Sequence, residues 1–164
     1  MTERRYNYLF KDKQMTEEII IDALKKVAAL YGKENAIKVE ALFRNETKHF
    51  TSGNFLICYS PGMEATKDVM PYGWSSLAQF WKDKPEYAPI GIHKQVENDS
   101  RMMQSRGERK FIKFPSLEAA MMTVAKRLSD KDWYTGAWAS NNADSQKKYA
   151  DYLLKISTPL TKKI

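Results

Sequence analysis

The sequence is poor in the residues that staple or metallate small proteins: it holds one cysteine, Cys58, and two histidines, His49 and His93. A single thiol excludes an intramolecular disulfide framework, and this set falls short of the four soft ligands a structural zinc ion takes. No metal and no cofactor are therefore expected. Long apolar runs are missing too, so no segment has the length needed to cross a bilayer. The first residues, MTERRYNYLFKDKQM, are charged throughout and lack the apolar core of a secretory signal. A chain made in the cytoplasm, with no membrane span, is the expectation, and any action outside the cell would need another route out. With only 7 glycines and 6 prolines the chain is neither collagen-like nor of low complexity, and its 43% hydrophobic content excludes wholesale disorder.

What is present is one domain's worth of ordinary globular sequence. The 164 residues show no internal repeat and no linker, so a single domain over 1–164 is predicted. Lys and Arg number 27 against 20 Asp and Glu, a net charge of +7, which favours anionic partners. Nucleic acid, an anionic cell wall and a membrane surface all satisfy that condition. The surplus is scattered, densest at Arg106 to Lys113 and at the C-terminal Thr-Lys-Lys. No nucleic-acid module or aromatic RNP-like strand is recognisable, which places nucleic acid second.

Apolar spacing predicts the elements. Thr16 reads as an N-cap, followed by Glu17 and Glu18 in a first turn and by Ile20, Ala23, Leu24, Val27 and Tyr31 at helical intervals up to Gly32. A second stripe, Val39, Leu42 and Phe43, meets Glu46 at its next helical position. Residues 47–62 read as a loop and a short strand ending at Pro61-Gly62. Ser75 is a candidate cap for a brief helix with Leu77, Phe80 and Trp81, and 85–89 reads as loop. Ile90 to Glu97 pairs with RKFIKF (109–114) as a hairpin whose tip is NDSRMMQSRG. Pro115-Ser116 opens a helix with Leu117, Ala120, Met121, Val124 and Leu128 on one face. The last helix follows Asn142 or Asp144, with Tyr149, Tyr152, Leu153 and Ile156 at the same period. The prediction is an α+β fold, mostly α, with a small β-hairpin lobe inserted between the second and later helices.

Glu46 is the candidate that carries chemistry. A carboxyl group buried among apolar side chains resists ionisation, and a raised pKa is what a general acid near neutral pH requires. Its place at a helix end, beside a Gly/Asn/aromatic loop, suits a cleft wall. Spacing alone equally allows Glu46 to turn to solvent or to pair with Arg44 or Lys48.

Three stretches in order carry a resemblance: IIDALKKVAALYGKENAIKVEALFRNETKHF, FIKFPSLEAAM and WASNNADSQKKYADYLLKI. They resemble the glucosaminidase family of bacterial and phage peptidoglycan hydrolases, in which two helices lead to a catalytic Glu followed by Ser or Thr, here Glu46-Thr47. The second resembles that family's aromatic strand running through Ser into a helix. The third resembles its closing segment, with a helix beginning near a Tyr-Ala pair, here Tyr149-Ala150. The chain departs from the family at Lys48-His49-Phe50, where a Gly-Trp-Gly is usual, and in the extra segment PYGWSSLAQFW. The Arg44-x-Glu46-Thr47 context is similar also to lytic transglycosylases and other lysozyme-like enzymes.

The resemblance implies a lysozyme-like helical domain that cleaves β-1,4 bonds of peptidoglycan glycan strands, with Glu46 as general acid. Glycoside hydrolysis normally employs a second carboxylate. The resemblance puts it shortly before the aromatic strand, at Glu97, with Asp99 and Glu64 as rivals. Tyr72, Trp74, Trp138 and Tyr149 lie beside loops or at matching positions, and aromatic planes stack on sugar C–H faces, so they are the candidate substrate-binding residues. Trp81 and Tyr152 fall on apolar helix faces and are expected in the core, as is Cys58. His49 receives no role. The expectation is a monomeric endo-N-acetylglucosaminidase, released by phage lysis or carried in a virion. A muramidase, a lytic transglycosylase, or a non-enzymatic basic wall- or nucleic-acid-binding module is the alternative.

Overall fold

A computed structural model describes residues 15–63, 65, 77–99, 104–131 and 143–164, with the backbone alone at 95–99, 104–108 and 131. Two consecutive helices, α1 (Glu17–Tyr31) and α2 (Lys33–Glu46), come first. Thr16 caps α1 as expected, its hydroxyl accepting the Ile19 N–H at 3.2 Å. Gly32, at φ 94°, ends one helix and begins the next, a conformation that strains residues with a Cβ. Ile20, Ala23, Leu24 and Val27 of α1 face Val39, Leu42 and Phe43 of α2 in one buried cluster.

The region 47–62 differs from the loop and strand predicted for it. It folds as a turn and a short helix, α3 (Gly53–Cys58). Ser52 accepts the Phe55 N–H through its hydroxyl at 3.3 Å, and this local cap decides for helix although aromatic and β-branched residues favour strand. Cys58 is buried, as expected of a small apolar side chain. Leu77, Phe80 and Trp81 are buried around α4 (Ala78–Asp83), but the proposed cap Ser75 lies outside the described residues. Within 85–89, expected to be loop throughout, Pro85–Tyr87 forms one 3-10 turn, as a proline at the first position allows.

The hairpin joins the two predicted segments, but its strands reach further than expected: of the tip predicted over 98–107, residues 98–99 and 104–107 are strand. Strand β1 (Gly91–Asp99) pairs antiparallel with β2 (Gln104–Lys113), with Ile92 opposite Ile112 and Lys94 opposite Lys110. Among the described residues two α-helices beyond α2 precede it, so the lobe follows α4. Met63 and Ala65 meet the other edge of β2: Ile112 donates its N–H to the Met63 carbonyl, and Ala65 donates to that of Lys110.

Helix α5 (Leu117–Lys131) occupies the centre. Ala119, Met122, Thr123 and Ala125 are buried along with the predicted face of Leu117, Ala120, Met121, Val124 and Leu128. A helix apolar almost all round is a core helix. Trp81 donates its indole N–H to the Thr123 hydroxyl at 3.1 Å, joining α4 to α5. The last helix, α6 (Ala143–Leu153), buries Leu153 but leaves Tyr152 55% exposed, contrary to expectation. Tyr152 sits at helical spacing from Tyr149, yet the α2–α6 seam is filled by the next residue round the helix. The Tyr149-Ala150 pair, expected near the start of this helix, lies six positions into it. The fold is α+β, mostly α.

Candidate functional site

The C-terminal end of α2 is held from three sides. Glu40, which stands between Ala36 and Phe43 at helical spacing, is fully buried. Its carboxylate accepts from Arg44 Nε at 2.8 Å and from the backbone N–H groups of Leu160 at 3.2 Å and Thr161 at 2.8 Å. A buried charge persists only when paired and hydrogen-bonded, and this one ties the end of the chain to α2. The Arg44 guanidinium also lies 5.2 Å from the Phe50 ring centroid and 3.4 Å from His49 Nδ1. Arg44 is therefore committed to Glu40 and to the turn beyond Glu46, and the alternative pairing of Glu46 with Arg44 does not occur.

Beyond Glu46 the backbone enters a left-handed turn. Lys48, His49 and Phe50 have φ of 51°, 56° and 70°. Such a run costs energy at every residue with a side chain. Buried Thr47 holds it in place: its hydroxyl donates to the Phe43 carbonyl at 2.5 Å and accepts the Phe50 N–H at 2.8 Å. Its carbonyl accepts the N–H groups of Thr51 and Ser52, both at 2.9 Å. Phe50 then stacks at 6.3 Å on Phe43 and meets Phe55 edge-on. The threonine after Glu46 is thus a structural pin for the turn beside the carboxylate.

Glu46 itself is half-buried in the last turn of α2. Its Oε2 accepts from the Tyr149 hydroxyl at 2.5 Å and from Asn45 Nδ2 at 3.0 Å. Asn45 Nδ2 also reaches the Tyr149 oxygen at 3.4 Å. Burial raises the Glu46 pKa from its ordinary value of 4.5, while the hydrogen bonds from Tyr149 and Asn45 pull it down; burial prevails. The negative end of the α2 dipole disfavours a carboxylate in the same place. With both donors on Oε2, Oε1 is the oxygen free to carry a proton among the described residues.

Of the other candidates, Tyr149 is brought to Glu46, although as a donor to the carboxyl group. Tyr72, Trp74 and Trp138 lie outside the described residues, as does Glu64. Glu97 and Asp99 fall on β1, with backbone register opposite Gly107 and Gln104. Asn45 and Glu40 were not anticipated. The signal for Glu40 was legible, since Ala36, Glu40 and Phe43 recur at helical spacing and Arg44 follows four residues later. Nothing in the sequence singles out Asn45.

The described residues line several cavities. One of about 370 Å³ lies between Arg44, His49 and Thr51 and the start of α1, and one of about 400 Å³ between Tyr31, Phe80 and Lys126. Another, about 330 Å³, opens between α2 and α6 along Ile37, Ala41, Ala150 and Leu154. No helix among the described residues is long and apolar enough to cross a membrane. Compared with protein-family models, curated proteins and solved structures, the chain matches none.

Proposed function

We propose that this chain is a peptidoglycan hydrolase of lysozyme-like plan, cleaving a β-1,4 bond of the glycan strand with Glu46 as general acid. The observation that carries the reading is the Glu46 carboxyl group itself: half-buried, raised in pKa, oriented through Oε2 by Tyr149 and Asn45, with Oε1 left to hold a proton. Transfer of that proton to the glycosidic oxygen lets the C–O bond break with a neutral leaving group. Water then adds at the sugar carbon, and its proton passes to a second carboxylate, for which Glu97 is the proposed residue. The order of helices, hairpin and central helix supports a lysozyme-like plan, and the net charge of +7 suits an anionic wall. Endo-N-acetylglucosaminidase is the favoured specificity, on the resemblance of the three sequence stretches. A phage lysin released through lysis or borne on a virion is the proposed setting.

Glu46→Gln keeps the shape and removes the acid. Clearing of purified walls should fall by about a hundredfold or more, the usual contribution of a general acid; undiminished clearing would overturn the assignment. Mass spectrometry of the digest reads the bond. Reducing N-acetylglucosamine ends mean glucosaminidase, reducing N-acetylmuramic acid ends muramidase, and anhydro ends transglycosylase. Salt-sensitive retention of labelled DNA by a chain that clears no wall would make it a binding module instead.

A further inference from the structure

The buried Glu40 carboxylate builds a cavity on another face of α2 from Glu46. It takes Arg44 Nε from one side at 2.8 Å and the Leu160 N–H from the other at 3.2 Å, and both residues line a space of about 370 Å³. The start of α1 closes that space with Thr16, Glu17 and Ile20. Residues two apart on a helix do not face each other, and the described lining includes none of Glu46, Asn45 and Tyr149.

Arg44 is fixed in the cavity wall without being used up. A guanidinium carries five N–H donors. One on Nε goes to Glu40 and one on Nη1 to His49 Nδ1, which leaves three with no partner among the described residues. The side chain is only 14% exposed, and donors so enclosed cost free energy until an acceptor meets them. Arginine can only donate, so His49 Nδ1 accepts and the proton of the neutral ring sits on Nε2, a further donor at the same wall. Backbone strain brings His49 there. The left-handed run at 48–50 lets its N–H reach the Arg44 carbonyl at 2.9 Å and folds the ring back onto the guanidinium. Strain of this kind gathers at ligand clamps.

A wall rich in N–H donors calls for an oxyanion, and the planar guanidinium matches a carboxylate or a phosphate. Glu40 already balances the Arg44 charge, and Glu17, paired with Lys163 at 2.6 Å, belongs to the same lining. A doubly charged ligand would meet repulsion there, which favours a carboxylate. The remaining wall is greasy: Ile20, Phe50 and Leu160 are each buried.

We propose that this cavity binds a small organic monocarboxylate. Its oxygens take the unpartnered Arg44 N–H groups and His49 Nε2–H, and its tail lies on Ile20, Phe50 and Leu160. The volume is at the lower end of ligand pockets, which limits the tail to a few carbons. The site is independent of the reading of Glu46.

Butyrate, titrated into the isotope-labelled full chain with ionic strength held constant by sodium chloride, tests this by nuclear magnetic resonance. Saturable shifts are expected at the Arg44 Nε–H resonance and at the amides of Thr51 and Leu160. Butyramide has the same shape without the charge and should bind about tenfold more weakly, the worth of a hydrogen bond to a charged group. Arg44→Lys keeps a cation for Glu40 but loses the fork, and should weaken butyrate by a similar factor. The butyramide comparison uses the unaltered protein and so decides the question even where the variant does not fold. No shift at the Arg44 side chain, equal binding of butyrate and butyramide, or undiminished binding by Arg44→Lys overturns the proposal. So does inorganic phosphate binding more tightly than butyrate at the same resonances, which would make this a phosphate site. Glu46→Gln should bind butyrate as the unaltered chain does; weaker binding there would overturn the separation of the two sites.

Discussion

The Tyr149 hydroxyl donates to Oε2 of Glu46 at 2.5 Å, across 103 residues of sequence. This bond joins α6 to the end of α2 and opposes burial in setting the carboxyl group's pKa. A hydrogen bond to the ionised form lowers an acid's pKa, so its removal raises it.

Tyr149→Phe should accordingly move the alkaline limb of the wall-cleavage profile to higher pH, because a general acid works only while protonated. Turnover at the optimum should fall by about tenfold, the worth of one hydrogen bond to a charged group. A limb that moves to lower pH would contradict the assigned direction.

The same burial makes a stability prediction. Glu46 has its pKa raised in the fold above the ordinary 4.5, so the folded state holds more protons than the unfolded chain between those values. Its contribution is fully present below the unfolded pKa and is lost as pH rises through the folded one. Glu46→Gln has no such loss. Melting curves from pH 4 to pH 7 should show the variant gaining on the unaltered protein as pH rises, and a difference independent of pH would count against burial as the cause.

Glu40→Ala removes the buried partner of half-buried Arg44 and leaves the N–H groups of Leu160 and Thr161 without their acceptor. The cost expected for breaking such a buried pair is ~3–5 kcal/mol. Urea unfolding measures it, and hydrogen exchange at Leu160 and Thr161 should rise far more than in α5.

Lys48 is exposed and sits at φ 51° at the start of the left-handed turn. Glycine relieves that strain at some cost in unfolded-chain entropy, so Lys48→Gly should stabilise by ~0.5–1 kcal/mol. Lys48→Val, β-branched, should destabilise. A shift of the urea midpoint in the opposite order would show that the turn is not strained there.

Much of this architecture is legible in local pattern. Thr16 with its apolar stripe, the second stripe ending in Glu46, and the pairing of the two segments of the hairpin follow from capping and periodicity, while the Ile92–Ile112 register comes from the structure. These are interactions between residues close in sequence, or between two strands joined by one tip. The helix at Gly53–Cys58 was misread because the Ser52 cap and the left-handed turn before it outweigh the β-propensity of the residues involved. Tyr152 was misread because periodicity says which residues share a face but not which neighbour covers it.

The amino-acid sequence by itself determined that a carboxylate closes the apolar face of α2, since helical spacing is a property of the chain alone. Only tertiary structure decided how that carboxylate is held. The donor Tyr149, the Glu40 anchor for Leu160 and Thr161, and the contact of Asn45 with Tyr149 each bring together residues about a hundred positions apart. No local rule specifies such pairings, because they depend on how α6 and the chain end pack against α2.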